Sequence, residues 1–313
     1  MAENFADFEV YECSQGDLLI VAVAEGKVPR VGDLPKNEPA FLEQMKRIGV
    51  TGPEHLAARR VGGKRELLQY LAPLEPPVNS DFYPFVQLEA TRARFANRTA
   101  IATLQLALSP LPLNEMLSKR EPAYLREPSL TPGAKQLALQ GLALDFERIL
   151  LDPAADPLSA DATGRAMLLT LKRPQALCTA TPPQFLLDQL QAAAELTLVR
   201  LAPERRHAIW VEPRWIGCGP EAMSPQVRKR LEVYRAIALR DGARMHSLAA
   251  GMLDNEKVEG YAWARFLLAT AMLGAHASGR SDEARRLWIT HGRALYADGV
   301  IPPEVVYIAN WKG

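Results

Sequence analysis

The five histidines and three cysteines are the side chains of this chain best suited to nucleophilic or metal chemistry. A zinc site needs such ligands at short, fixed spacings. His55, His207, His246, His276 and His291 form no H-x-x-x-H pair and have no cysteine at ligand spacing. They read as surface or packed side chains, and no metal is expected. Cys13, Cys178 and Cys218 lie far apart with no C-x-x-C pair. None has an activating base legible in the sequence, so buried, reduced thiols are expected, with no disulfide framework. No serine sits in a G-x-S-x-G elbow. A nucleotide-binding turn needs glycines so that the backbone can approach its ligand. The close glycines here are Gly62-Gly63 and Gly217-Cys218-Gly219. The first pair is expected to open one short helix after another, and the second lacks a strand-turn-helix context.

Binding residues are the other candidates. Tyr261, Trp263 and Trp311 could line a concave surface of helical hairpins and are taken as a candidate interaction surface. Trp288 falls on an apolar helix face, where core packing is the expectation. Two basic runs, Arg59-Arg60 with Lys64-Arg65 and Arg228-Lys229-Arg230, read as solvated helix faces.

The elements that must carry these residues change character along the chain. Phe8 to Cys13 and Leu18 to Ala24 read as a hairpin about Ser14-Gln15-Gly16-Asp17. The second strand, LLIVAVA, is apolar on both faces, as in a strand buried within a layered sheet. Glu38 to Ile48 has helical spacing, with Phe41, Met45 and Ile48 on one face. Thr51 and Glu54 fit a capping box that opens a short helix to about Arg60. From Thr99 onward alanine and leucine dominate, and helices are expected near 99–108, 133–151, 160–172, 183–201, 225–240, 243–253, 258–277 and 282–297. A minor strand is expected at Ile209 to Val211. Ala284, Leu287, Trp288, His291, Ala294 and Leu295 recur at helical steps. With Ala262, Phe266, Ala269 and Leu273 they make a tetratricopeptide-like hairpin over 258–297, without a second clean copy.

The bulk numbers bound the function. The chain has 313 residues, 48% of them apolar, and 37 basic against 36 acidic residues for a net charge of +1. A dedicated nucleic-acid binder carries a basic excess, so no nucleic acid is expected as a partner. The acidic start, with Glu3, Asp7, Glu9, Glu12 and Asp17, does not fit a leader peptide. No apolar run reaches the ~20 residues of a membrane span. A cytoplasmic protein is the expectation.

Residues 5–95 add a family resemblance. The hairpin ending in LLIVAVA, the RIGVTGPEHLAAR segment and above all PPVNSDFYPFVQLEATRAR resemble the end of the catalytic domain of spermidine synthase-like (aminopropyltransferase-like) proteins. Asn79, Asp81, Pro84, Leu88 and Glu89 match the closing pattern, while Ser80 stands for Thr, Phe82 for a second Asp and Thr91 for Pro. The resemblance implies a Rossmann-like methyltransferase fold, of which residues 1–98 supply the C-terminal segment, followed by an α-helical domain over 99–313. The expected class is therefore mainly α with a small α/β part. It also implies Asn79 and Asp81 as substrate-binding residues for a polyamine; by their types alone the same two residues close a turn before Pro84. The family binds decarboxylated S-adenosylmethionine over a glycine-rich turn that this chain lacks, so that cofactor is expected only if a missing N-terminal half is supplied. Two functions remain: a non-catalytic interaction module that binds a protein or itself, or the C-terminal portion of an aminopropyltransferase, inactive alone.

Overall fold

The structure is a computed structural model that describes residues 4–13, 17–32, 38–71, 89–92, 101–128, 134–173, 176–255, 258 and 260–312. In chain order it comprises β1 (Asp7–Glu12), β2 (Leu18–Val23), α1 (Pro39–Arg47), α2 (Pro53–Ala57), β3 (Arg60–Gly63), α3 (Lys64–Leu71), α4 (Ile101–Ala107), α5 (Leu113–Leu117), α6 (Lys135–Leu151), α7 (Ala162–Leu171), α8 (Gln184–Thr197), α9 (Pro203–Trp210), α10 (Pro225–Ala238), α11 (Gly242–Asn255), α12 (Tyr261–Ala277), α13 (Ser281–Leu287) and α14 (Pro303–Ala309). It is mainly helical, with one small antiparallel sheet. The residues divide into two compact units: Met1–Leu108 with Thr131–Gln136 and Ile301–Lys312, and Ser109–Leu130 with Leu137–Val300. The boundary expected near residue 98 lies outside the described residues.

In the first unit the strand order is β2-β1-β3, with β1 antiparallel to both neighbours. The basic run at residues 59–65 is not a solvated helix face; it ties the sheet together. Arg60 pairs with Glu9 and, at 3.2 Å, with Glu66, all three nearly buried. Glu66 also accepts the Gly63 N–H at 2.8 Å. Lys64 Nζ donates to the Phe5 carbonyl. Glu12 is buried and accepts the Lys135 and Gln136 N–H groups at 2.7 and 3.0 Å. A helix's first turn leaves such donors without intrahelical partners and favours negative charge. Helices α3 and α4 pack on β3, and α14 packs on both helices.

Three expectations are corrected here. Gly62-Gly63 does not open a helix but closes β3, a strand set by its pairing with β1. The N-cap of α2 is Gly52, not Thr51, because Pro53 occupies the first helical turn. β2 is not buried in a layered sheet; it is an outer strand with its middle residues exposed.

The second unit is a set of helices with legible starts. Asp161 caps α7 at 2.6 Å from the Gly164 N–H, and Ser224 caps α10 at 3.2 Å from the Val227 N–H. Helices α11 and α12 approach so closely that a Cβ on Gly274 would lie 2.6 Å from the Gly242 carbonyl oxygen. Trp210, Tyr234, Trp263 and Phe266 form the aromatic core, Trp263 stacked on Phe266 at 5.6 Å. The strand expected at Ile209 to Val211 is instead the end of α9, where Arg206, Ile209 and Trp210 turn inward at helical spacing. Helix α13 passes through a π turn, Trp288–Gly292, into Arg293–Leu295. The extra residue shifts the buried face, so Ala284, Leu287 and Gly292 are buried and Ala294 is exposed.

Glu115 on α5 anchors this unit. Its carboxylate meets Arg206 at 3.1 Å and Arg240 at 2.6 Å. Arg240 follows α10 with φ 56°, a left-handed backbone that glycine usually fills. The N–H of Arg240 bonds Ile237 and that of Asp241 bonds Ala236, closing the helix end. An L-residue in this conformation costs roughly 1–2 kcal/mol. The guanidinium bonds to Glu115 and to the Ile237 and Leu198 carbonyls offset it.

Cys178 and Cys218, 40 residues apart, are joined in a disulfide, which corrects the expectation of unpaired thiols. Two irregular loops bring them together: one follows α7, and the other follows the single turn Arg214–Ile216. Cys13 is free and exposed.

Two outcomes are expected. Burial raises the Glu115 pKa, but hydrogen bonds and charge from Arg240 and Arg206 outweigh it, and the net shift is downward. The stability it lends is full above the ordinary carboxylate range and is lost as pH falls through its lowered pKa. Glu115→Gln leaves two arginines without their counter-ion and should cost about 3–5 kcal/mol at neutral pH. Denaturant titrations should show the gap to wild type narrowing toward pH 3. For the disulfide, closing a loop of 40 residues is worth about 4 kcal/mol by chain entropy. The Cys178→Ser, Cys218→Ser double variant should therefore melt well below the oxidised wild type in calorimetry.

Candidate interaction surface

The candidate binding residues differ in exposure. Trp263 is buried, stacked on Phe266 with the Arg230 guanidinium 4.3 Å from its ring, so it packs in the core of the second unit. Trp311 is buried against Tyr307 at 5.5 Å, with Arg65 5.1 Å from its ring. Tyr261 is half exposed. Its hydroxyl donates to the Leu295 carbonyl, and Arg265 stacks 4.1 Å from its ring while holding Asp298 at 2.8 Å. It ties α12 to the segment after the π turn. Trp263 and Trp311 are each buried within their own unit, and the Tyr261 ring is stacked under Arg265. Asn79 and Asp81 lie outside the described residues.

Polar clusters in the second unit hold structure. Burial raises the Glu195 pKa, partly opposed by its bond from Gln191. Burial lowers the Arg200 pKa to about 10, and Arg200 donates to the Glu195 carbonyl at 2.6 Å. His291 meets Asp254 at 2.9 Å, and His276 meets Ser281 at 3.0 Å, both as bonds between neighbouring helical segments. A groove of about 530 Å³ is lined by Arg126, Asp145, Glu147, Arg148 and Arg205 together with apolar Leu144. Its charges are largely internal pairs, Arg205–Glu147 at 2.5 Å and Arg148–Asp145 at 3.5 Å. No group of three or more His, Cys, Asp or Glu that could hold a metal occurs among the described residues. No helix among them is long and apolar enough to cross a membrane.

The feature that folding leaves bare is β2. Leu19, Ile20 and Val21 are 52%, 45% and 37% exposed, whereas Phe8 and Val10 on the neighbouring β1 are buried. Among the described residues, the helices that pack on this sheet lie chiefly on β3 and β1. Helix α1, which buries no residue, adds exposed Phe41 and Ile48 in the same unit. The backbone of β2 is open as well. The Cys13 N–H bonds the Asp17 carbonyl at 2.9 Å, which makes 13 and 17 a hydrogen-bonded pair. Bonded and non-bonded pairs alternate in an antiparallel ladder. With Tyr11 opposite Leu19 and Val10 opposite Ile20, residues Leu18, Ile20 and Ala22 therefore turn their N–H and C=O groups away from β1. No charge interrupts the strand from Leu18 to Ala24. Folded proteins ordinarily blunt such an edge with lysine, proline or a covering loop. The sequence signal is the lack of polar alternation in LLIVAVA, an apolar strand that wants cover on both faces.

No family model matches the chain, and no curated protein and no solved structure matches it.

Proposed function

We propose that this chain is a non-catalytic interaction module, in which a tetratricopeptide-like helical part is joined to an incomplete spermidine synthase-like α/β part. Contact with a protein partner is made through β2, onto whose free edge an uncharged, extended segment adds as a further strand. The carrying observation is the exposure of Leu19, Ile20 and Val21 on an uncharged outer strand. Leaving these three in water forgoes roughly 2–4 kcal/mol that a partner's cover would return. The fate of Gly62-Gly63 supports the non-catalytic part: the Gly63 N–H is taken by Glu66 and is not offered to a phosphate or ribose.

A second reading is favoured by the same open edge. In it the chain is the C-terminal portion of an aminopropyltransferase, and a separately encoded nucleotide-binding half adds its strands beside β2. That half would bring the decarboxylated S-adenosylmethionine, and Asn79 and Asp81 would meet the polyamine. Both readings place the protein in the cytoplasm. The Cys178–Cys218 disulfide is the observation that bears against that compartment, where the glutathione pool reduces such pairs.

Isothermal calorimetry with S-adenosylmethionine and its decarboxylated form should give no binding heat with this chain at micromolar concentrations; saturable micromolar binding would sink the non-catalytic reading. Acid-quenched alkylation of whole cells should find Cys178 and Cys218 as free thiols. A pair recovered oxidised from the cell places the protein in an oxidising compartment instead.

A further inference from the structure

We infer that β2 is a self-association strand: two copies of the chain pair their β2 strands antiparallel about a two-fold axis at Ile20, joining two three-stranded sheets into one of six strands. This rests on the reading of β2 as a docking edge and names its occupant. The outward backbone groups are those of Leu18, Ile20 and Ala22, which lie symmetrically about Ile20. A two-fold axis there sets Leu18 of one copy against Ala22 of the other and Ile20 against its own counterpart. Every outward N–H then finds a carbonyl. A closed, self-complementary contact of this kind is the commonest form of homodimer.

The side chains and charges select the same occupant. Leu19 and Val21 project from one face of β2 and Ile20 from the other, and all three are exposed. A one-sided amphipathic strand would leave one face bare, so the occupant must be apolar on both faces and uncharged along its length. Among the described strands β2 alone fits: β1 carries Asp7, Glu9 and Glu12, and β3 carries Arg60. Asp17 and Glu25 flank β2. Antiparallel pairing sends the two Asp17 residues to opposite ends of the ribbon, whereas parallel pairing would set each acid beside its like. A single strand pair covers less than the roughly 800 Å² per partner of a stable interface. The expected dimer is therefore one that forms at micromolar, not nanomolar, concentration.

Sedimentation equilibrium of the full chain through the micromolar range tests this, with two variants. Ile20→Pro removes an outward N–H while sparing the bonds to β1, which run from Leu19 and Val21; Ile20→Lys places a charge at the axis. The wild type should show a monomer–dimer equilibrium. Both variants should weaken it by about tenfold or more, with helical circular dichroism unchanged. Amide exchange at Leu18, Ile20 and Ala22 should slow as wild-type concentration rises. A dimer that persists in both variants overturns the proposal, as does a wild type that stays monomeric. In the monomeric case a fluorescent peptide of residues 18–24 with terminal lysines separates the two levels. A chain that binds the peptide, and loses it with Ile20→Pro, keeps the docking edge and refutes only the second copy. A chain that binds none refutes the edge as well.

Discussion

The helical part of this protein depends on one carboxylate. Glu115 lies on a five-residue helix too short to be stable by itself. It receives two arginines that belong to different elements, Arg206 on α9 and Arg240 beyond α10. Arg206 also reaches the Ala238 and Leu201 carbonyls and the Tyr124 hydroxyl. The pair of guanidinium groups thus satisfies carbonyls left over at helix ends, and the single acid offsets their charge in a poorly hydrated place. The arrangement is high in stake, since a buried cation without its counter-ion is strongly destabilising. It also explains why an arginine occupies a left-handed position that glycine would fill more cheaply. A glycine there could close the helix but could not bond Glu115.

The sheet of the first unit follows a related logic with opposite signs. Two acids on β1, Glu9 and Glu12, are turned inward rather than into water. Glu9 takes Arg60 of β3, and Glu12 takes the free N–H groups at the start of α6. These contacts fasten one side of β1 and leave the other side to β2, whose only described neighbour is β1. The asymmetry produces the exposed edge: polar ties and helices concentrate on β3, while the most apolar strand remains outermost. An apolar strand with free backbone groups is the part of the molecule that gains most from a further strand.

Aromatic residues looked like the interaction surface because tryptophan and tyrosine are common at contact sites. The same residue types dominate cores, and spacing cannot separate the two uses. Trp263 has Phe266 three residues on, so its helix could present either face, and the packing of α10 against α11 and of α11 against α12 decides that the face is internal. In β2 the reverse holds. A run without polar alternation reads as buried on both sides, yet no layer of the described chain covers it.

The sequence by itself determined the longer helices, the N-terminal hairpin and the mainly α class, because helix periodicity, proline stops and hairpin turns are written within a few neighbouring residues; the short α5 and α9 were not among them. Tertiary structure decided everything that needed a distant partner. β3 exists because Arg60 to Gly63 meets β1 some fifty residues earlier. The Cys178–Cys218 bridge spans 40 residues with no motif to announce it. The π turn at Trp288–Gly292 moved one helix face by a residue, with the Trp288 ring packed over Gly292. The open edge of β2 belongs to the same group: apolar sequence makes a strand, but whether that strand ends inside a sheet or at its rim depends on which other segments reach it.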